Sequence, residues 1–328
     1  MNYRKLGSTD VAVSEVSLGC WTMGCLNRVD GQANGWANVN EDEIVAAVKC
    51  AVDAGVNHFD NADVYGNGRA ERMLARVLRC LGLKSEDFII ATKVGHFRGT
   101  AEHAYEPLHI RHQCEQSLKN LQRDYVDIYY LHHGDFGPHG EWLAGAAATL
   151  DALVQEGKVR LKGQSAYSDA DFQRAVPVVK PTVLQSWANA LRPNFIKPDG
   201  VVGRLLAEQR LSFVAFSPLQ KGLLLDKFDP EQPPQFDEGD IRRTDTRFQA
   251  EYLRALKPKL ERLKARFGRT TEELSAVAQR YVLNHPHVAC TIPGFRNERQ
   301  VTCNLAAVGR HLRADDLAFI DQTFGNPL

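Results

Sequence analysis

Short apolar runs alternate with longer amphipathic stretches along most of this chain. The runs Val16–Leu18, His58–Asp60, Phe88–Thr92, Asp127–Leu131, Val159–Gln164, Val183–Gln185, Phe213–Ser217 and Val288–Ile292 predict strands. Between them, Glu41–Ala54 sets Ile44, Val45, Val48 and Val52 on one face at helical spacing, and Arg69–Leu81 does so with Met73, Leu74 and Val77. Further helices are predicted over His109–Leu121, Glu141–Glu156, Asp169–Val176, Val201–Glu208, Tyr252–Phe267, Thr271–Asn284, Asn297–Ala306 and Ala314–Phe324. Strands interleaved with helices at this rhythm imply a parallel sheet. Eight of them fit a closed (β/α)8 TIM barrel in the α/β class, as one domain over residues 1–328.

Two segments break the rhythm. Tyr3–Val13, with Gly7-Ser8-Thr9-Asp10 as its turn, predicts an N-terminal β-hairpin capping the amino-terminal end of the barrel. Phe228–Arg247 is rich in Pro, Asp and Arg, has no periodicity, and is too long for an idle connector, so it is expected to lie over a functional rim.

Charge narrows the class. The 328 residues carry 40 basic and 40 acidic side chains, so no overall basic excess points to nucleic acid. No apolar run approaches the length needed to span a bilayer, and the opening Met1–Gly7 lacks the apolar core of a secretory signal. Seven scattered cysteines with no Cys-x-x-Cys pair suit the reducing cytoplasm better than a disulfide framework. Cys20 falls near the candidate site, where a packed role outweighs a reactive one. His285-Pro286-His287 lacks a third convergent ligand by spacing, so no metal site is expected.

Chemistry gathers at strand ends. Asp60, Tyr65, Lys93 and His132 stand at or just past the trailing ends of three apolar runs, and in a parallel barrel those ends share one rim. A carboxylate, a phenol, an ammonium and an imidazole there make a proton-delivery site. Reducing a carbonyl leaves a developing alkoxide that needs a proton. Tyr65 is the expected donor, Lys93 is expected to make it more acidic, Asp60 to hold the lysine, and His132 to orient the carbonyl oxygen.

The motifs around these residues resemble the aldo-keto reductase family. They are Tyr3-Arg4-Lys5-Leu6-Gly7, Leu18-Gly19-Cys20-Trp21, Ala54-Gly55-Val56-Asn57-His58-Phe59-Asp60 with Tyr65-Gly66, Ala91-Thr92-Lys93, and Asp124-Tyr125-Val126-Asp127 with Leu131-His132. The resemblance runs from about Tyr3 to about Leu305. It implies Asp60, Tyr65, Lys93 and His132 as the catalytic tetrad of an oxidoreductase that reduces aldehydes and ketones to alcohols. The hydride must come from an organic cofactor, and the chain has no Gly-x-Gly-x-x-Gly loop after a strand. The family instead lays NADPH/NADP+ across the barrel mouth.

By that resemblance the cofactor-binding residues are Trp21, Ser165, Gln185, Ser217, Leu219, Gly222, Gly294, Arg296, Gln300 and Asn304. Arg296 beside the helix start at Asn297 would meet a ribose 2′-phosphate, favouring NADPH over NADH. Three positions depart from the family pattern: Ala166 replaces an Asn, Cys303 replaces a Glu, and Ala188 stands where a nicotinamide-stacking Tyr is expected, leaving Trp187 as a substitute platform. Trp21, Phe97, His133 and Phe136 are expected to wall the substrate pocket. Tyr105 and the cluster Arg242, Arg243 and Arg247 could reach over the mouth, although solvated charge is the stronger reading of the arginines, and the brief tail after Phe324 implies an open pocket. The expected partner is a small-molecule carbonyl, with neither nucleic acid nor membrane, and oligomeric state is left open. Two alternatives remain: a cofactor-sensing regulatory subunit of the channel-associated kind, and a metal-dependent barrel hydrolase, which Lys93 and Tyr65 fit poorly.

Overall fold

The computed structural model describes residues 1–325. Strands β1 (Tyr3–Lys5) and β2 (Ala12–Ser14) pair antiparallel as the opening hairpin. Strand β3 (Leu18–Gly19) begins the main sheet, and β4 (Arg28–Val29) with β5 (Gln32–Ala33) forms a second small hairpin. The main sheet continues through β6 (His58–Asp60), β7 (Ile89–Val94), β8 (Val126–Leu131), β9 (Val159–Ser165), β10 (Val183–Trp187), β11 (Ser212–Phe216) and β12 (Val288–Ile292). All eight strands are parallel and neighbours follow chain order. Ser17 N–H donates to Thr291 O at 2.9 Å and Gly19 N–H to Pro293 O at 3.1 Å, so the first and last strands meet and the barrel is nearly closed.

Helices fill the crossovers: α1 (Glu41–Asp53), α2 (Arg69–Cys80), α3 (Pro107–Leu121), α4 (Leu143–Gln155), α5 (Asp169–Val179), α6 (Val201–Gln209), α7 (Ala250–Phe267), α8 (Thr271–Leu283), α9 (Glu298–Leu305) and α10 (Ala314–Phe324). Their starts are set by side chains. Asn40 accepts from the Asp42 and Glu43 amides, and Thr270 and Glu273 form a reciprocal capping box. Among the described residues no helix is long and apolar enough to cross a membrane.

The period-two alternation of each strand decides what faces the barrel axis. Ile128 and Tyr130 lie in the interior cluster with Ala91, Val183 and Val214, whereas Tyr129 and Leu131 pack outward under the helices. Continuing each inward set by two residues reaches Lys93 from Ala91, His132 from Tyr130, Gln185 and Trp187 from Val183, and Phe216 from Val214. Interior packing is tight at Gly163, where a Cβ would come within 2.2 Å of the Tyr130 ring. The hairpin plugs the opposite end: Leu6, Val11 and Val13 join the interior cluster. Arg4 donates to Leu283 O at 2.7 Å and Val288 O at 2.8 Å, and Gly7 N–H to Ser212 Oγ at 2.7 Å.

The main differences from the sequence expectations are at element ends. Strand β7 runs to Val94, so Lys93 is held within a strand rather than after it. Strand β10 reaches Trp187, and α5 continues through Pro177 to Val179. The β4–β5 hairpin was not anticipated. It meets the aperiodic segment 228–247: Ala37 N–H donates to Asp240 Oδ2 at 3.2 Å, Ile241 N–H to Gly35 O at 2.9 Å, and Asn38 bonds Asp237. That segment does lie over the mouth, contributing Arg242 to the cavity wall.

Candidate active site

Four side chains from three stretches converge at the carboxyl ends of the strands. Lys93 has no exposed surface, and its ammonium forms an ion pair with Asp60 Oδ1. It also donates to Asn61 O at 2.7 Å and to the Tyr65 hydroxyl at 3.4 Å. Asp60 Oδ2 accepts from Gln185 Nε2 at 2.7 Å, so both carboxylate oxygens are engaged. The Tyr65 ring stacks on Trp21 with centroids 5.9 Å apart and meets the His132 ring edge-on at 6.0 Å. His132 is buried with Nδ1 unpartnered.

Burial governs the protonation of this group. It pushes the Tyr65 phenol well above its ordinary value, with the Asp60 charge adding to the effect. It pushes His132 well below the ordinary imidazole value, helped by His96 and Lys93. Near neutral pH the site therefore holds a protonated phenol and a neutral imidazole. Against the sequence expectation of a more acidic phenol, desolvation dominates the Tyr65 shift, with Asp60, Cys20 and Asp63 adding to it. Cys20 is fully buried, burial raises its thiol, and Sγ lies 3.8 Å from Leu18 O, which is the packed reading.

Above the tetrad opens a cavity of about 720 Å³. Asp60, Tyr65 and His132 lie at one part of its wall, and Lys221, Lys227, Arg242, Arg296 and Arg299 supply cations elsewhere. Ser217, Gln220, Lys221 and Gly222 all have positive φ, at 54°, 47°, 54° and 92°. Successive left-handed residues of this kind turn backbone amides into a concavity suited to anions. Arg296 Nη2 forms an ion pair with Asp240 Oδ2 at 3.6 Å, too far for a hydrogen bond, and the buried nitrogen has no hydrogen-bond acceptor. Burial, then Arg242, disfavours the charge on Arg296, and the Lys227 ammonium is disfavoured by burial, Arg242 and Arg296. An anion here would relieve that repulsion.

Residues 17–324 match the model of the "Aldo/keto reductase family". The chain belongs to the aldo/keto reductase family. That places it among oxidoreductases. It is 28% identical over 311 residues to L-galactose dehydrogenase of Arabidopsis thaliana, covering 93% of this chain and 87% of that protein. It is 28% identical over 325 residues to a probable voltage-gated potassium channel subunit beta of the same plant, covering 94% and 91%. Among solved structures it resembles the glycerol dehydrogenase AKR11B4 from Gluconobacter oxydans, with TM-score 0.79, 26% identity, and coverage of 99% of this chain and 97% of that one. The aldo-keto reductase AKR11C1 from Bacillus halodurans, at 24% identity and TM-score 0.77 over 98% and 96%, shares the fold.

In this aldo/keto reductase the cavity collects most residues singled out from sequence: Trp21, Gln185, Ser217, Leu219, Gly222, Gly294, Arg296, Gln300 and Asn304 all line it. Asn304 also donates to Gly294 O at 3.2 Å, and Asn297 caps α9 by accepting from the Gln300 amide at 3.1 Å. Lys93 and Ser165 do not line the cavity. Lys93 acts from behind Asp60 and Tyr65, while Ser165 is buried with its hydroxyl unpartnered.

The substrate wall needs correction. Phe97, His133 and Phe136 are not among the cavity-lining residues. His133 follows the inward-facing His132, so its parity turns it away. Its Nε2 donates to Gly95 O at 2.6 Å and its Nδ1 accepts the Asp135 amide at 3.1 Å. Phe136 is fully buried, stacked on Tyr105 at 4.8 Å. Tyr105 does not reach over the mouth either, because its hydroxyl donates to His133 O and accepts from His133 N–H, both at 2.8 Å. Phe97 is half-buried and its carbonyl bonds His109. Arg243 and Arg247 also stay outside the cavity wall, Arg247 being held by Asp245 at 2.7 Å.

Of the residues that line the cavity instead, Trp187 was named from sequence as a substitute platform, whereas His96, Tyr167 and Phe216 were missed. Ala188 is fully buried on the outward side of β10, so no side chain there would face the mouth. Strand parity identifies Trp187 and Phe216, and that signal was available in the sequence. Trp36 was not legible: it arrives from the unforeseen β4–β5 hairpin and sits between Arg242 and Arg296, 5.0 and 5.3 Å from their guanidinium carbons.

Proposed function

We propose that this aldo/keto reductase reduces aldehydes and ketones to alcohols with NADPH, Tyr65 acting as general acid. The observation that carries the reading is the fully buried Lys93 ammonium shared between Asp60 and the Tyr65 hydroxyl at the edge of the large cavity. The residues present fit a nicotinamide dinucleotide. Ser165 Oγ is a buried hydroxyl without a partner, Arg296 keeps an unpaired N–H, and the cationic wall with its left-handed turn suits phosphates. Ser165 and Gln185 would hold the carboxamide, Trp187 and Phe216 would offer ring faces, and Ser217, Leu219 and Gly222 would embrace the pyrophosphate. Arg296, Gln300 and Asn304 would hold the adenosine end. When bound, the cofactor supplies the hydride that no side chain can.

The chain's own residues manage the proton. A substrate carbonyl oxygen placed between Tyr65 and His132 meets the phenolic O–H and an imidazole kept neutral by burial. As negative charge grows on that oxygen, the proton passes from Tyr65 Oη to it, a transfer worth about 10²–10⁴ in rate. The phenolate left behind is stabilised by Lys93, whose other bonds to Asp60 and Asn61 O fix its position. Tyr65→Phe keeps the ring and removes the proton. Carbonyl reduction, followed by NADPH absorbance, should fall by about 10²–10⁴ while NADPH binding, followed by fluorescence, persists. Retained turnover would reject Tyr65 as the acid.

A further inference from the structure

Every exposed or half-buried residue of α2 before Cys80 is an arginine: Arg69, Arg72, Arg76 and Arg79. Their spacing puts the four guanidinium groups on one face, along about 15 Å of helix at 1.5 Å per residue. Among the described residues only Arg76 of this set forms an ion pair, holding Glu41 through bonds of 3.0 and 2.8 Å. The others donate to neutral oxygens: Arg69 to Gly24 O at 3.3 Å, Arg72 to Asn120 Oδ1 and Asn67 O at 3.2 Å, and Arg79 to Gln122 Oε1 at 2.8 Å. Helix α7 is different, since Arg254, Lys257, Lys264 and Arg266 each pair with a carboxylate. The stripe also works against its own helix. Like charges three or four residues apart repel. Arg69 sets a cation on the first turn, where the helix dipole is positive and Gly68 provides no side-chain cap. Packing requires none of these charges, because α2 buries Ala70, Met73, Leu74, Val77 and Leu78.

We propose that this face of α2 docks an acidic segment of a partner protein, its carboxylates gripped by Arg69, Arg72 and Arg79. Local rules of this kind are broken mainly where function requires it. Four arginines and no lysine present planar forks that take a carboxylate at two points, as Arg76 already does with Glu41. Width selects the partner. The positive stripe is one helix wide and is bordered by the start of α1, whose first turn carries Glu41, Asp42 and Glu43. A nucleic-acid duplex or a lipid surface spreads negative charge over a broad area and would press against those carboxylates. A single acidic strand or helix lies along the stripe without meeting them, and its charge relieves the repulsion among the arginines. None of the four lines the catalytic cavity, so docking is separable from carbonyl reduction.

The test follows the anisotropy of fluorescein-labelled hexaglutamate, which is long enough when extended to span the stripe, on titration with the full-length protein at low salt. Wild type should bind it. The double variant Arg72→Gln with Arg79→Gln should weaken binding by roughly three- to thirtyfold, the worth of two exposed ion pairs. A control pair on α7, Arg254→Gln with Arg262→Gln, removes the same charge elsewhere and should leave the affinity unchanged. Equal weakening by the two pairs, or no binding by wild type, overturns the proposal. So does tighter capture of a DNA duplex or of phosphatidylserine vesicles than of the peptide, because the stripe would then serve a different class of partner. The readout is binding alone, so none of these outcomes bears on the carbonyl-reductase reading.

Discussion

Replacing Lys93 by Met separates the two roles of the buried ammonium. Met matches the length and flexibility of the lysine stem, so the steric change inside β7 is small. The electrostatic change is large, because Asp60, 1% exposed, loses its counter-ion and keeps only the Gln185 amide at 2.7 Å. Stranding one member of a buried ion pair costs about 3–5 kcal/mol. The second bond to Asp60 argues for the lower end of that range. Against a total stability on the order of 5–15 kcal/mol, the loss is easily measured. Urea unfolding followed by circular dichroism should show Lys93→Met weakened by about 3 kcal/mol. Adding Asp60→Asn should restore most of it, since a neutral amide needs no counter-charge, while carbonyl reduction stays lost. If the double variant is no more stable than Lys93→Met alone, the cost does not arise from an uncompensated carboxylate, and the account of the pair is wrong.

Two further outcomes concern the cofactor end and pH. Arg296→Ala should weaken NADPH binding by roughly ten- to a hundredfold, the range for a hydrogen bond to a charged group, and leave NADH nearly unaffected; equal losses for both would remove the 2′-phosphate role. Burial lowers His58 and His96 to about 4 and His132 well below its ordinary value of 6.5. At these histidines the unfolded chain binds more protons than the folded one between about pH 4 and 6.5, so their contribution to stability should rise with pH across that window, against an opposite contribution from Asp63 and Glu71, whose carboxyls burial raises. Thermal melts of wild type and His96→Gln would check this: the variant should lose less stability on acidification, and parallel curves would contradict it.

The fold was largely legible because alternation between apolar runs and amphipathic stretches is a local property. Hairpin, strand order and most element ends follow from it. At the site, Asp60, Tyr65 and His132 were readable from the motifs that carry them, and Arg296 and Gln300 from the segment after β12. The substrate wall was not, for a physical reason. His133, Phe136 and Phe97 were chosen by proximity to strand ends, whereas parity turns His133 away, Phe136 packs with Tyr105, and His96 rather than Phe97 enters the cavity after the turn at Gly95. The unfavourable direction of the Tyr65 shift was also hidden, because desolvation depends on what covers a side chain and not on its sequence neighbours.

The alternation along β8 has one more consequence. Tyr130 fills the axis, Leu131 anchors the outer shell, and His132 emerges at the rim, so each adjacent pair of letters belongs to a different job. Deleting a single residue between 126 and 131 would swing the His132 imidazole into the helical jacket, turn Leu131 toward the axis and bring His133 to the rim in its place, whereas an equal deletion in a connecting loop would reposition nothing at the rim. Spacing inside the staves, more than the identity of any one letter, keeps the proton donor and its companions in the same chamber.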